Sequence, residues 1–366
     1  MRGRLWRLAT LVGIVLVAGC EQPTATPTRA TASTTPSPSG SVTSPSSLCP
    51  GLDPTHRLAI VRFNAFAPET YIRDVNQPDH GITVCQIDSA PDTFVSATVI
   101  GIENLGSIST LDLVTGQRSQ VLTYVHNDGP VFTMHWSSRG DFAYGRCSTD
   151  GLTEVYHVIR GNVDRVVASV PLTRGCSVGD EHVEFSPAGA YLAIGSPAAA
   201  STGDGAAVQV RNADGSLAFA GGGSGQLTWS GERLYYDTGT GIASWDPQDG
   251  MHAVVSGSWL WPARSPDGRW IAYRPADRVS PIQLLSLPDG QQVTLPRGDS
   301  RPPVWVTANL LLFNQLKSCP TPMPANSEAD PCTYRPMLYD VQNRTVSSSL
   351  LAAVLATWPA GTPTWW

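Results

Sequence analysis

The chain is poor in charge: only 15% of its residues are Asp, Glu, Lys or Arg, and the formal net charge is −6. Past the first few residues no basic run occurs, so the clustered Lys and Arg that phosphate contact requires are missing and nucleic-acid binding is not expected. Metal-binding patterns are missing too. The seven His, at 56, 80, 126, 135, 157, 182 and 252, form neither His-Glu-x-x-His nor His-x-His, and no Cys-x-x-Cys occurs. Neither a metal nor a cofactor is expected. The calcium pattern Asp-x-Asp-x-Asp-Gly is absent, and the Asp-Gly pairs read as hairpin turns. "GGGSGQ" at 221–226 fails the last position of Gly-x-Ser-x-Gly, so the sequence offers no nucleophile elbow and no catalytic residue.

What is abundant is turn chemistry. With 34 Gly and 30 Pro, the chain suits many short elements. Its start is different. Arg2, Arg4 and Arg7 precede "LATLVGIVLVAG", an apolar run too short to span a bilayer comfortably, which ends in Val17-Ala18-Gly19-Cys20. These residues resemble the signal peptide and lipobox of bacterial lipoproteins. The resemblance implies cleavage after residue 19 and a diacylglyceryl group on Cys20. The mature protein would then be held on the extracytoplasmic side of a cell membrane. Residues 20–48 hold the lipidated Cys and a Pro/Thr/Ser tether with no apolar period and nothing to bury, which reads as disordered. A glycosylated stalk has the same composition.

From 49 to 366 a pattern repeats. Alternating strands recur at "RLAIVRF", "ATVIGIE", "DFAYGRC", "YLAIGSP", "RLYYDTG", "WIAYRP" and "NLLLFNQ". With Leu58, Val99, Phe142, Leu192, Leu234, Ile271 and Leu311 as equivalents, the steps are 41, 43, 50, 42, 37 and 40 residues. Several copies open on an aromatic-Ser turn, as in "HWSSRGD", "EFSPAGA" and "TWSGER"; Arg264 replaces the aromatic in "ARSPDGRW". A third alternating strand, a short turn and a fourth run complete each copy. Four short strands every forty-odd residues predict a β-propeller blade. The alternative is a β-sandwich or two unrelated β domains. "SPDGRWIAY" and the weaker "SPAGAYLAI" resemble the repeat of TolB-type propellers, and prolyl-oligopeptidase propellers carry similar repeats. The TolB protein adds an N-terminal α/β domain that has no counterpart in the present reading, so that family's partner-binding residues do not carry over.

Seven equivalent strands predict an all-β, seven-bladed propeller. The first copy lacks an opening strand, and "TPTWW" at 362–366 looks like an opening strand with nothing after it. Pairing the C-terminal strand with the first blade would close the ring. Setting Cys20 aside leaves six Cys, an even number that suits an oxidising compartment. The blade register predicts pairs Cys49–Cys85, Cys147–Cys176 and Cys319–Cys332. Trp136, Phe185, Trp229 and Trp305 at blade openings are expected between blades. Trp259 and Trp261, one alternation apart, would face one side of a strand and are candidates for binding. His126 and His135 flank a blade boundary and are the other candidates, although a lone strand His more commonly has a structural role. Function is therefore expected to be binding: a monomeric scaffold presenting a propeller face to a protein, peptide or envelope glycan. The alternative is a glycan-processing lyase or hydrolase whose groups meet only in three dimensions.

Overall fold

A computed structural model describes residues 48–56, 58–62, 69–74, 82–88, 91–104, 106–123, 131–172, 175–176, 182–196, 206–275, 281–298, 303–319, 332–348 and 364–365. Cys20, the leader and the tether lie outside them, as do His80 and His126.

The repeat's turn explains its own residues. In "RSPDGRW" the buried Ser265 accepts the Trp270 N–H on its hydroxyl at 3.0 Å, and its carbonyl accepts the Gly268 N–H at 2.9 Å. Gly268 sits at φ +70°, which an L side chain rarely adopts. Ser137 and Ser186 do the same work, taking the amides of Asp141 at 3.0 Å and Tyr191 at 3.3 Å. A small hydroxyl residue is thus fixed by two bonds at the bottom of each such hairpin.

The strands form seven four-stranded antiparallel sheets among the described residues. β1 (Leu58–Arg62), β2 (Glu69–Asp74) and β3 (Ile82–Asp88) belong to the first sheet; the second is β4 (Pro91–Ser96), β5 (Val99–Asn104), β6 (Ser107–Asp112) and β7 (Arg118–Thr123). The third is β8 (Val131–Trp136), β9 (Phe142–Cys147), β10 (Thr153–Arg160) and β11 (Val163–Pro171). The fourth is β12 (His182–Phe185), β13 (Tyr191–Gly195), β14 (Val208–Asn212) and β15 (Leu217–Gly221). The fifth is β16 (Leu227–Ser230), β17 (Arg233–Asp237), β18 (Gly241–Asp246) and β19 (Gly250–Ser256). The sixth is β20 (Trp259–Arg264), β21 (Trp270–Pro275), β22 (Pro281–Ser286) and β23 (Gln292–Arg297). The seventh is β24 (Val304–Trp305), β25 (Leu310–Ser318), β26 (Thr333–Asp340) and β27 (Thr345–Ser347). β28 (Thr364–Trp365) then returns to β1, pairing Ile60 with Thr364 and Ala59 with Trp365, so the first sheet runs β28-β1-β2-β3.

Each sheet packs its face on the next in chain order. Tyr156, Val167 and Val170 of the third meet Val183, Phe185 and Ile194 of the fourth. Val208 and Val210 of the fourth meet Trp229, Leu234 and Trp245 of the fifth. The sixth and seventh share Leu284, Trp305 and Phe313. The first strands are neighbours in sequence, with β28 beside β4, β4 beside β8, and so on through β12, β16, β20 and β24. Outer strands such as β27 are exposed, whereas β18 is buried along its length. First strands inside and fourth strands outside make this an all-β propeller.

Hydrogen bonds brace the inner strands. The Trp229 indole N–H donates to the Glu184 carbonyl at 3.1 Å, and that of Trp305 to the Ala263 carbonyl at 2.9 Å. Arg264, in the aromatic slot of the sixth sheet, donates from Nη1 to the Trp229 carbonyl at 2.8 Å. The Phe185 N–H donates to His135 Nδ1 at 3.2 Å. Arg264 therefore also braces the first strand of the preceding sheet, at a carbonyl one residue further along than the indoles use.

All six remaining Cys are paired: Cys49–Cys85, Cys147–Cys176 and Cys319–Cys332, with Cα separations of 5.1, 6.1 and 4.2 Å. Cys49 and Cys85 also join the core between the first and second sheets. Closing a 36-residue separation removes about 4 kcal/mol of unfolded-state freedom in the chain-entropy account.

Candidate site on the inner strands

β12 reads His-Val-Glu-Phe. Val183 and Phe185 are buried in the core, so His182 and Glu184, one alternation apart, turn to the opposite side. His182 Nε2 lies 3.4 Å from Glu184 Oε2, and their side chains are 46% and 22% exposed. Charge from Glu184 reaches both His135 on β8 and Arg264 on β20. His135 on β8, His182 and Glu184 on β12 and Arg264 on β20 thus all belong to inner strands.

His135, a binding candidate from the sequence, is buried. It lies within β8 opposite Ala143, and burial draws its pKa down to about 4, against the pull of Glu184. With Nδ1 accepting the Phe185 N–H, it is a neutral, structural imidazole. His126 lies outside the described residues, so the His126–His135 pairing has no structural counterpart to report. His157 is also occupied. Nδ1 faces Asp164 Oδ1 at 3.0 Å, Arg146 Nε donates to Nε2 at 3.3 Å, and the Tyr144 ring stacks on it at 4.6 Å. Among the described residues no three His, Cys, Asp or Glu side chains gather as a metal site.

At one end of these strands the chain builds a second feature. The stretch Gly222–Gln226 links β15 to β16. A Cβ on Gly223 would collide with the Asp237 carbonyl, and one on Gly195 with the Gly225 carbonyl, so only Gly allows this approach. The buried Asp237 carboxylate accepts the Ser224 hydroxyl and the Gly239 amide. Burial raises its pKa, while those two bonds oppose the rise. The loop so fixed presents Gln226, whose Oε1 accepts the Trp261 N–H at 2.7 Å.

Trp261 is one of two non-Gly residues with positive φ, at +53°, among the described residues. It sits where the β20–β21 register slips between Leu260 and Ala263. This bulge breaks the alternation on which the sequence placed Trp259 and Trp261 on one side. Trp259 packs edge-on against Tyr273 at 4.9 Å and donates its indole N–H to the Ser256 carbonyl at 2.9 Å. The Arg274 guanidinium instead lies 4.2 Å from the Trp261 ring centroid. Tyr273 and Arg274 are consecutive on β21 and point to opposite faces, so the two Trp part company. Trp259 packs against a core cluster, whereas Trp261, equally half-buried, lies against Arg274.

Sequence reasoning missed His182, Glu184, Arg264, Gln226 and Arg274. The apolar alternation of "HVEF" could have exposed the first two, and the departure from an aromatic at 264 could have exposed the third. A shallow cleft between the third and fourth sheets, lined by Arg160, Tyr191 and Arg211 among others, lies apart from this site. There Arg160 is engaged by Asp141 and by the Ala213 carbonyl.

No protein-family model matches the chain, and no curated protein matches its sequence. Solved structures similar to it include the Cps50 (Swd1) β-propeller domain of Myceliophteria thermophila, at 14% identity over 73% of this chain and 94% of that one, TM-score 0.42. TolB from Acinetobacter baumannii is similar at 13% identity over 86% of this chain and 67% of that one, TM-score 0.40. BamB from Moraxella catarrhalis is similar at 16% identity over 70% and 76%, TM-score 0.42.

Proposed function

We propose that this is a lipid-anchored, extracytoplasmic propeller of seven blades that binds its ligand at the inner-strand face. The anchor rests on the lipobox-like Val17-Ala18-Gly19-Cys20 and the three Arg before the apolar run. The seven-blade ring rests on the four-strand repeat and on the return of β28 to β1. The TolB-type assignment rests on "SPDGRWIAY" and "SPAGAYLAI". A protein, peptide or envelope glycan remains the ligand class.

One observation carries the binding reading: on the inner strands His182 partners Glu184, and His135 is held by a backbone amide. A fixed carboxylate, imidazole and guanidinium on a rigid scaffold make a hydrogen-bonding surface. The glycan-processing alternative is favoured by the His182–Glu184 pair alone, and steady release of reducing ends from a glycan would establish it.

Two measurements test the reading. Cys20→Ala should abolish labelled palmitate incorporation and release the protein from membranes; persistent labelling refutes the anchor. A photo-crosslinking residue placed at His182 should capture ligand, while one at Leu217 on outer strand β15 should not. The reverse pattern would move the binding face to the perimeter.

A further inference from the structure

Arg211 stands without a counter-charge among the described residues. Val208 and Val210 on β14 pack toward the fifth sheet, so Gln209 and Arg211 turn toward the third. Arg211 there lines the shallow cleft between the third and fourth sheets, half-buried among walls that include Val158, Val167 and Phe185. Its Nη1 donates to the Gly215 carbonyl at 3.3 Å and its Nη2 to Gln209 Oε1 at 2.5 Å, both uncharged acceptors. Nε is shielded from solvent and has no acceptor among the described residues. Burial draws the Arg211 pKa down, and no charge among the described residues acts to restore it.

Two other arginines show the contrast. Arg160, in the same cleft, donates from Nε and Nη2 to Asp141 Oδ2 at 3.0 and 2.9 Å, and from Nη1 to the Ala213 carbonyl at 3.3 Å. Arg233 pairs with Asp246 and Asp249. Desolvating a guanidinium without a carboxylate is unfavourable, and an anion arriving from outside would offset it. With Arg160 already matched, the cleft offers one positive charge, which suits a singly charged group better than a phosphate. Two of the five guanidinium N–H donors are engaged, and the rest suit the two oxygens of a carboxylate. The apolar walls favour an aliphatic stem behind that carboxylate. A shallow cleft does not enclose a whole ligand, so what it recognises is an end group.

We propose that Arg211 anchors a carboxylate borne on an aliphatic stem, supplied by a small organic acid or by the C-terminal residue of a peptide. The site is separate from the inner-strand face and stands whether or not ligand is captured there.

The test uses the full chain in detergent at neutral pH, titrated with butyrate, with the tripeptide acetyl-Ala-Ala-Val and with that peptide's C-terminal amide, and followed by ligand-detected NMR. Both acids should bind saturably at millimolar concentration or below, and the amide should bind about tenfold more weakly than the free peptide. A peptide affinity more than about fivefold above that of butyrate assigns the peptide end as the source, and a smaller difference assigns the small acid. Arg211→Gln should weaken both acids about tenfold. Because it removes an unmet charge, it should keep or raise the melting temperature in ligand-free buffer. Arg211→Lys keeps the charge but loses the fork, so binding should weaken severalfold. No saturable binding by either acid, unchanged binding in Arg211→Gln, or inorganic phosphate binding more tightly than butyrate would each overturn the proposal. So would a marked fall in the ligand-free melting temperature of Arg211→Gln, which would make the bonds to Gly215 and Gln209 the reason for the guanidinium.

Discussion

Replacing Trp229 by Phe isolates one hydrogen bond in the inner bracing. The indole is 1% exposed, and its N–H reaches the Glu184 carbonyl on the preceding sheet at 3.1 Å. Phe keeps most of the apolar contact but leaves that carbonyl short of a donor. A buried polar group deprived of its partner costs about 1–3 kcal/mol. For a chain of this size that lowers the melting temperature by about 2–6 °C. Trp136 provides the control, because it occupies the equivalent place in the third sheet. It packs on Phe142 at 4.3 Å, but its buried Nε1 has no partner among the described residues. Trp136→Phe removes an unmet donor, so it should cost under about 1 kcal/mol or stabilise slightly. Urea unfolding of both variants, followed by circular dichroism, gives the comparison. Equal losses in the two would refute the bracing argument and leave ring volume as the cause.

Two further predictions follow from His135 and from β28. His135 titrates near 4 in the fold against about 6.5 unfolded, so the unfolded chain binds the extra proton between those values. Stability should fall as pH drops from about 6.5 to 4, by about 3 kcal/mol in all, and be indifferent to this group above 6.5. His135→Gln, which can still accept the Phe185 amide, should flatten that segment of a stability-against-pH curve; an unchanged slope would refute it. Deleting residues 362–366 removes the strand that covers the edge of β1 and should cause aggregation or proteolysis. A truncated protein that stays monomeric at an unchanged melting temperature would make the β28–β1 pairing dispensable.

Strand order was legible in the sequence because alternation and turn residues act locally. Leu58, Leu192 and Leu311 were matched by neighbours a few residues away, and the structure places each on the second strand of its sheet. The disulfides followed from the same register. What escaped was set by other sheets. Arg264 looked like a flaw in the repeat, yet its guanidinium still reaches a carbonyl on the first strand of the preceding sheet. Trp261 looked paired with Trp259 until a bulge shifted the phase by a residue. Glu184 and Arg264 lie eighty positions apart in sequence, and no local pattern announces that they share an electrostatic neighbourhood.

Among the described residues the seam between β28 and β1 holds two residue pairs, against five between β1 and β2. During synthesis the first sheet waits with three strands while every later sheet is completed. Its fourth strand, Thr364–Trp365, is made after all the others described. Nearest-neighbour coupling lets the intermediate sheets form in turn, but none of them can seal the first. Local opening should therefore begin at this seam, with amide exchange around Ala59 and Ile60 running ahead of that in β18. Quality control that samples exposed strand edges would find its opportunity there, in the interval before the last strand docks.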